Sequence, residues 1–193
     1  MEDTIHFIGI SGSLRKGSFN TSLLNAAARL LPDGVTMEII SIADIPLYNA
    51  DVDLPAVNER PEPVKKLREA MAKADGILFV SPEYNYSIPG GLKNAIDWAS
   101  RGEDSPMLKK PVAVMGATPG LWGTVRMQMA FHGVFQFLNM KAVLKPEVLV
   151  NQASKKFDES GKLTDETSIG IVRKKLEALK ELCLNEKRLK NKE

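Results

Sequence analysis

The sequence of 193 residues is poor in cysteine and histidine, and both shortages exclude classes of site. Cys183 is the single cysteine, which excludes an intrachain disulfide and a cysteine-based metal centre. The two histidines, His6 and His132, have no partner in the sequence pattern that would make either one a catalytic base or a metal ligand. We therefore expect structural histidines, no bound metal and a reducing compartment, the cytoplasm.

The sequence also lacks a strong charge excess and any long apolar run. The formal net charge is +2, and basic residues concentrate at 173–175 and 187–192 without a recognised nucleic-acid motif. We expect a solvated helix face and a frayed basic tail over residues 186–193, and no nucleic-acid partner. No apolar run approaches the length of a membrane span and the amino terminus lacks a basic signal region, so we expect no membrane contact.

Short apolar runs alternate with helical patterns along the chain. Strands are predicted at residues 5–10, 35–40, 77–80 and 112–117, with a fifth between 142 and 150. Helical stripes separate most of them, as at 64–74, and another follows the last strand at 169–183. This alternation predicts a parallel sheet covered by helices on both faces, within one domain that we assign to residues 1–185.

The first loop, residues 11–21, follows the first strand and precedes a helical pattern that we place at residues 22–31. Its hydroxyls, the Asn20 amide and the free N–H groups of the helix start are predicted to converge as in a phosphate site. A Walker loop is excluded because Gly17 is followed by Ser18 and not by lysine, and the glycine spacing does not fit a dinucleotide fingerprint. A simple turn with a helix cap is the alternative.

Two further loops are predicted at the same edge of the sheet. The second loop, residues 81–91, follows the buried strand 77–80 and combines polar, aromatic and glycine residues. The third loop, residues 116–124, follows the fourth strand. Because ligands of open α/β sheets bind at the carboxyl ends of the strands, these loops predict a site for a flat ligand with polar edges.

Two motifs make the chain resemble a known family. The pattern G-S-L-R-x-x-S-x-N at residues 12–20 and the pattern P-E-Y-N-Y-S-x-P-G-x-L-K-N-A-x-D-W at residues 82–98 occur in this order. They resemble the NADPH-dependent FMN reductase family of flavodoxin-like proteins, and within it the quinone and chromate reductase branch. The resemblance spans roughly residues 4–150. It implies an α/β, flavodoxin-like three-layer sandwich with a five-stranded parallel sheet of strand order 2-1-3-4-5.

The resemblance also implies a bound FMN, with NADPH or NADH as electron donor. It places the phosphate at the first loop and the isoalloxazine ring between the second and third loops. The implied FMN contacts are Ser13, Arg15, Ser18, Asn20, Thr21, Pro82, Glu83, Tyr84, Asn85, Tyr86 and Gly116. Arg15 and Trp122 are expected at the substrate rim. Many relatives have a serine at the start of the third loop, where this chain has Gly116, so backbone contacts are expected there.

The implied activity is ping-pong, two-electron transfer from NAD(P)H through FMN to quinones, azo compounds, chromate or free flavin. No catalytic side chain is expected, because the hydride passes through flavin N5. A flavodoxin-like electron carrier without its own NAD(P)H reductase activity is the alternative, although such carriers are usually strongly acidic. A fold that has lost its flavin is a further alternative.

Residues 121–140 are apolar around most of a helical circumference. This pattern fits either a wholly internal helix or, as we favour, a subunit interface. The resemblance implies a homodimer or homotetramer, and Arg126 and Glu147 are expected to pair near or across the contact. Residues 41–61 are predicted to form a long irregular crossing, for which the sequence predicts no role.

Overall fold

A computed structural model describes residues 4–53 and 59–190 of the chain. The strands are β1 (Ile5–Ser11), β2 (Val35–Ile40), β3 (Gly76–Val80), β4 (Pro111–Ala117), β5 (Lys141–Ala142) and β6 (Val148–Val150). The α-helices are α1 (Phe19–Arg29), α2 (Glu62–Lys73), α3 (Gly90–Ala99), α4 (Val125–Phe137) and α5 (Glu166–Lys190). Residues 1–3, 54–58 and 191–193, which belong to the predicted amino terminus, crossing and tail, lie outside the described residues.

The strands form one parallel sheet in the order β2-β1-β3-β4-β5, with β6 also paired to β4. This order confirms the predicted flavodoxin-like fold. The single fifth strand predicted between residues 142 and 150 is instead two short strands. Pro146 lies between them, and because it has no amide hydrogen it cannot donate to the ladder.

Helices cover both faces of the sheet, as predicted. In β1, Ile5 and Phe7 pack with α1 and α5, whereas Ile8 and Ile10 pack with α2, α3 and α4. Every residue of β3 and β4 is buried, because each face of these central strands is covered by a helical layer. The result is the predicted three-layer sandwich.

Three helices differ from their predicted outlines. Helix α1 begins at Phe19, three residues before the predicted start at 22, because Ser18 caps it. Helix α5 continues to Lys190 and so includes part of the segment predicted as a tail. Helix α4 is buried on one side only: Phe131 is enclosed, whereas Phe137 is 75% exposed. Across residues 4–53 and 59–190, no helix has the length and apolarity needed to cross a bilayer.

Strands β1, β3 and β4 end at the same edge of the sheet, which brings the three loops together. Gly12 N donates to Val80 O (2.9 Å), and Ser81 N donates to Met115 O (3.0 Å). Gly12 also approaches Ser81 so closely that an added Cβ would lie 2.8 Å from the Ser81 Cβ. The three loops that were predicted to form the site therefore lie along one edge of the sheet.

Candidate active site

Among the described residues, two serine hydroxyls of the first loop accept hydrogen bonds and donate none. Ser18 is the N-cap of α1, and its Oγ accepts a hydrogen bond from Asn20 N (3.2 Å). Ser13 Oγ accepts from Arg15 N (3.4 Å) in the same way. Since neither hydroxyl donates to another group in the described part of the chain, both can donate to an anion at the positive end of α1.

Arg15 and Thr21 complete the donor set of the first loop. Thr21 Oγ1 shares a hydrogen bond with Ser11 Oγ (2.9 Å), and the Arg15 guanidinium donates to Gly17 O (2.8 Å). Arg15 is exposed, so its other N–H groups reach solvent at the mouth of the loop. Hydroxyls, a guanidinium and a helix N-terminus together form a donor set that fits a phosphate group.

Asn20 has a structural role that the sequence did not predict. Its Nδ2 donates to Ala117 O (2.9 Å) and its Oδ1 accepts from Ala117 N (2.8 Å), and the residue is 3% exposed. The carboxamide is thus engaged at both ends in joining the first loop to the end of β4. A direct contact between Asn20 and FMN stays a prediction, whereas its bridging role is visible in the fold.

A tight two-residue turn lies at the centre of the second loop. Tyr84 N donates to Ser87 O (3.2 Å), and Ser87 N donates to Tyr84 O (2.9 Å). Between them, Asn85 and Tyr86 have φ values of 49° and 63°, the sign found in type I′ turns. A left-handed conformation at two successive non-glycine residues stores strain, and strain of this kind concentrates at functional sites.

The Glu83 side chain turns toward α4. Its Oε2 accepts hydrogen bonds from Arg126 N (2.9 Å) and Met127 N (3.1 Å), the amides of the first turn of α4. The Thr124 side chain, at the N-cap position, makes no capping bond. The FMN contact of Glu83 stays a prediction, and the carboxylate caps α4.

The Arg126 guanidinium lies against the second and third loops. It is 3.7 Å from Glu83 Oε1, 4.1 Å from the Tyr86 ring centroid and 5.5 Å from the Trp122 ring centroid. The predicted pairing of Arg126 with Glu147 does not occur within the chain, because Glu147 pairs with Lys145 (2.8 Å). A pairing between subunits stays a prediction. Trp122 is exposed beside Arg126, and its place at the substrate rim stays a prediction.

Gly116 is required by packing between the second and third loops. A Cβ at this position would lie 2.5 Å from Ser81 O and would also collide with Thr124 Oγ1. Only glycine therefore allows β4 to pass this close to the second loop. Its predicted backbone approach to FMN stays a prediction.

The crossing after β2 is anchored to α3 by two residues of the second motif. Asn94 Oδ1 accepts from Tyr48 N and Asn94 Nδ2 donates to Pro46 O, both at 2.8 Å. Trp98 Nε1 also donates to Pro46 O (2.8 Å). Sequence reasoning missed this role, although Asn94 and Trp98 belong to the motif at residues 82–98.

A cavity of about 750 Å³ lies at the opposite edge of the sheet. Its walls include Lys110, Lys141, Cys183 and Lys190, and none of the residues that line it belongs to the three loops. The donor set and the glycine-dependent packing of the three loops, and not the size of a cavity, therefore mark the candidate site. In the described part of the chain, His, Cys, Asp and Glu side chains form no group of three or more that would hold a metal ion.

The family profile described as NADPH-dependent FMN reductase matches residues 5–155, which include all three loops. The chain belongs to this family. An NADPH-dependent FMN reductase of this family is an oxidoreductase that uses FMN as cofactor and NAD(P)H as donor, and the anion-binding donor set of the first loop fits the FMN phosphate.

Proteins that are similar to this member of the NADPH-dependent FMN reductase family are named as reductases or oxidoreductases. An NAD(P)H-dependent FMN reductase of Pseudomonas aeruginosa is 44% identical over 179 residues, covering 93% of this chain and 95% of the relative. A quinone reductase of Escherichia coli is 39% identical over 171 residues, which cover 88% of this chain and 90% of the relative. The solved structure of the flavoenzyme NAD(P)H:(acceptor) oxidoreductase FerB from Paracoccus denitrificans matches with a TM-score of 0.83 at 29% identity, covering 94% and 98%.

Proposed function

We propose that the protein reduces quinones with electrons from NAD(P)H in a ping-pong cycle, with FMN as the resident cofactor. When bound, FMN supplies the hydride acceptor of the first half-reaction and the hydride donor of the second. One observation carries this proposal: the bonds of Asn20 to Ala117 and the close approach of Gly116 to Ser81 join the three loops along one edge of the sheet. This edge combines hydroxyl donors at a helix start with a strained aromatic turn.

The first loop would hold the FMN phosphate. Ser13 and Ser18 would donate their free hydroxyl protons, and Thr21 and the exposed Arg15 would contribute further donors. The positive end of α1 adds attraction for the dianion. In this arrangement binding energy is applied at the phosphate, remote from the reacting ring, where it fixes the position of the ring without altering its electronic state.

The second and third loops would enclose the isoalloxazine ring. Residues 82–86 present backbone groups that are held by the turn between Tyr84 and Ser87, and Gly116 lets β4 approach from the other side. Tyr84, Tyr86 and Trp122 are exposed. Exposed aromatic faces of this kind favour a flat, conjugated acceptor that stacks, which is the shape of a quinone.

The choice of acceptor is guided by relatives and by charge. Relatives of this chain are named quinone reductases. Arg15 is exposed at the mouth of the first loop and would attract anionic groups of donor or acceptor. Azo compounds, chromate and free flavin are further acceptors that we propose to test after quinones. We also propose the cytoplasm as the compartment, since NAD(P)H is the donor.

We further propose that the protein self-associates through α4. Met129 and Phe137 are 64% and 75% exposed on this helix, and Leu144 is exposed in the segment that follows β5. Large apolar side chains on one helix face are characteristic of subunit interfaces. A homodimer or homotetramer would cover them.

An anaerobic visible spectrum of the FMN-reconstituted protein tests the proposed reaction. NADPH is added first and a quinone second, with free FMN under the same conditions as control. We expect the flavin absorbance to bleach rapidly with NADPH and to recover fully with quinone, both faster than in the control. Bound FMN that NAD(P)H does not bleach would instead indicate an electron carrier, and folded protein that does not retain FMN would indicate a fold without flavin.

A further inference from the structure

Helix α4 begins in a way that its own sequence does not stabilise. Thr124, at the N-cap position, has a φ of 71° and makes no side-chain capping bond. The first turn contains no acidic residue, and the cationic Arg126 lies there, at the positive end of the helix dipole. The start of α4 therefore depends on a contact from elsewhere in the fold.

Glu83 of the second loop supplies that contact. Its carboxylate accepts hydrogen bonds from Arg126 N and Met127 N. These amides belong to the first turn of α4, where N–H groups have no acceptor within the helix. The same carboxylate faces the Arg126 guanidinium at 3.7 Å. The Glu83 side chain is only 14% exposed, so these charge-assisted contacts take the place of water.

Arg126 extends this link to the turn. Its guanidinium lies 4.1 Å from the centroid of the Tyr86 ring, within the range of a cation–π contact. Tyr86 and Asn85 both hold left-handed backbone conformations that non-glycine residues rarely adopt. The strained turn is thus held at its start by Glu83 and at its tip by Arg126.

We propose that Glu83 and Arg126 act together as positioning residues, which fix the Tyr84–Ser87 turn against α4 and thereby set the affinity and the reduction potential of bound FMN. This inference rests on the proposed function, because the turn is where the ring would lie. It differs from a direct flavin contact: the two side chains act through the backbone donors of the turn, whose alignment they maintain.

The test compares Glu83→Gln, Arg126→Gln and the double variant with the wild-type protein. Glu83→Gln keeps the shape of the side chain and removes its charge. We expect each single variant to weaken FMN binding about tenfold, and the double variant to be no weaker than the worse single one, because residues that act as a unit are not additive. If the affinity for reduced FMN decreases about tenfold more than the affinity for oxidised FMN, the two-electron midpoint potential drops by about 30 mV.

A matched control exists on α2. Glu62 and Lys66 form an exposed ion pair, also at 3.7 Å, on a helix that contributes nothing to the three loops. Glu62→Gln, Lys66→Gln and their double variant should leave FMN affinity and potential unchanged. Arg126→Lys adds a second check, since it keeps the charge but loses the planar guanidinium, and should restore only part of the wild-type affinity.

Hydrogen exchange of the protein without FMN gives an independent readout. Glu83→Gln should speed exchange at the amides of Arg126 and Met127, while the exchange of α2 stays unchanged. The inference is overturned if Glu83→Gln and Arg126→Gln bind FMN with wild-type affinity and potential, or if the two losses simply add. Failure of the wild-type protein to bind FMN would overturn the proposed function itself, and the exchange experiment would still report whether Glu83 caps α4.

Discussion

Ser18 illustrates how one side chain links the fold to the site. Its oxygen accepts a hydrogen bond from Asn20 N and so caps α1, and among the described residues its hydroxyl proton has no acceptor at the positive end of that helix. The residue is 4% exposed, which places the hydroxyl inside the first loop and not on the open surface. Helix capping and anion binding are therefore available from the same group, and a substitution can separate them.

The variant Ser18→Asp should retain the fold and lose FMN. Aspartate is as good an N-cap as serine, so α1 should still form. Its carboxylate would face the phosphate, and repulsion of roughly 3 kcal/mol or more corresponds to at least about a 100-fold rise in Kd. Fluorescence titration with FMN measures the Kd, and circular dichroism checks the fold.

Thr167→Asp provides the control for Ser18→Asp, because it makes a similar change in the first turn of α5. It should bind FMN as the wild-type protein does. If Ser18→Asp itself retained wild-type affinity, the first loop would not be the phosphate site.

At the scale of elements, β4 and α5 each contain a residue whose surroundings are unusual. Gly116 lets β4 pass close to the second loop, as the positions of Ser81 O and Thr124 show. Lys175 is a buried residue of α5, and its Nζ donates to Val143 O (2.6 Å) just after β5. Steric contact therefore determines what a substitution of Gly116 does to stability, and the cost of burying a charge determines what a substitution of Lys175 does.

Replacing Gly116 by alanine should destabilise the protein by about 2 kcal/mol, as expected for overpacking at a site where backbone atoms cannot yield. Urea unfolding followed by circular dichroism measures this. Gly170→Ala is the matched control, because Gly170 lies within α5. Apart from its chain neighbours and the nearby backbone of α5, no atom of the described residues lies within 4 Å of the added Cβ, and a gain of about 0.5–1 kcal/mol is expected. Equal stability of the two variants would contradict the packing argument.

Lys175 should make stability depend on pH in a defined window. Burial, with a smaller contribution from the charge of Lys145, lowers the Lys175 pKa to about 8, although Glu147 opposes the shift. Between about pH 8 and the ordinary lysine pKa near 10.4, the unfolded chain binds more protons than the folded one, so this residue makes stability rise with pH. Below pH 8 both states are protonated and the destabilisation is constant.

Lys175→Met should therefore be more stable than the wild-type protein below pH 8, and the difference should shrink toward pH 10. The pKa shift corresponds to on the order of 3 kcal/mol, of which the lost bond to Val143 O offsets about 1 kcal/mol. Urea unfolding at pH 7 and at pH 10 measures the difference. Lys174→Met, at the exposed neighbouring position, should show no such trend. Parallel stability profiles for Lys175→Met and the wild-type protein would refute the assignment.

At the scale of the whole molecule, helix α4 has one apolar side that packs on the sheet and a second apolar side that is exposed. Helix α4 buries Met127 and Phe131 against the sheet, and it leaves Met129 and Phe137 exposed. The same helix begins at the Glu83 cap. The surface that we propose for self-association therefore lies on the same helix, α4, whose start borders the second loop.

Phe137→Glu should dissociate the oligomer that we propose. A charge placed on an apolar interface is costly because it must be desolvated without a partner. Size-exclusion chromatography with light scattering should show a dimer or larger species for the wild-type protein and a monomer for the variant. Leu189→Glu, which alters an exposed apolar residue near the end of α5, should keep the wild-type mass. A monomeric wild-type protein would rule out the proposed interface.

Most of the sheet was predictable from local patterns. The first four strands agree with their predicted positions to within one residue at either end, because short apolar runs between turn residues are strong signals. The split of the last strand into β5 and β6 was not predicted, although Pro146 supplies its reason. The early start of α1 follows from Ser18, whose capping role depends on a side-chain contact that periodicity does not reveal.

The sequence by itself determined the layer order, the three loops and the family, because strand periodicity, loop composition and two motifs are local properties of the chain. Only the tertiary structure decided what Asn20, Glu83 and Arg126 do. Asn20 meets Ala117 across 97 positions of sequence, and Glu83 meets Arg126 across 43. Such contacts depend on how the ends of β1, β3 and β4 are aligned in the sheet, which no local pattern encodes.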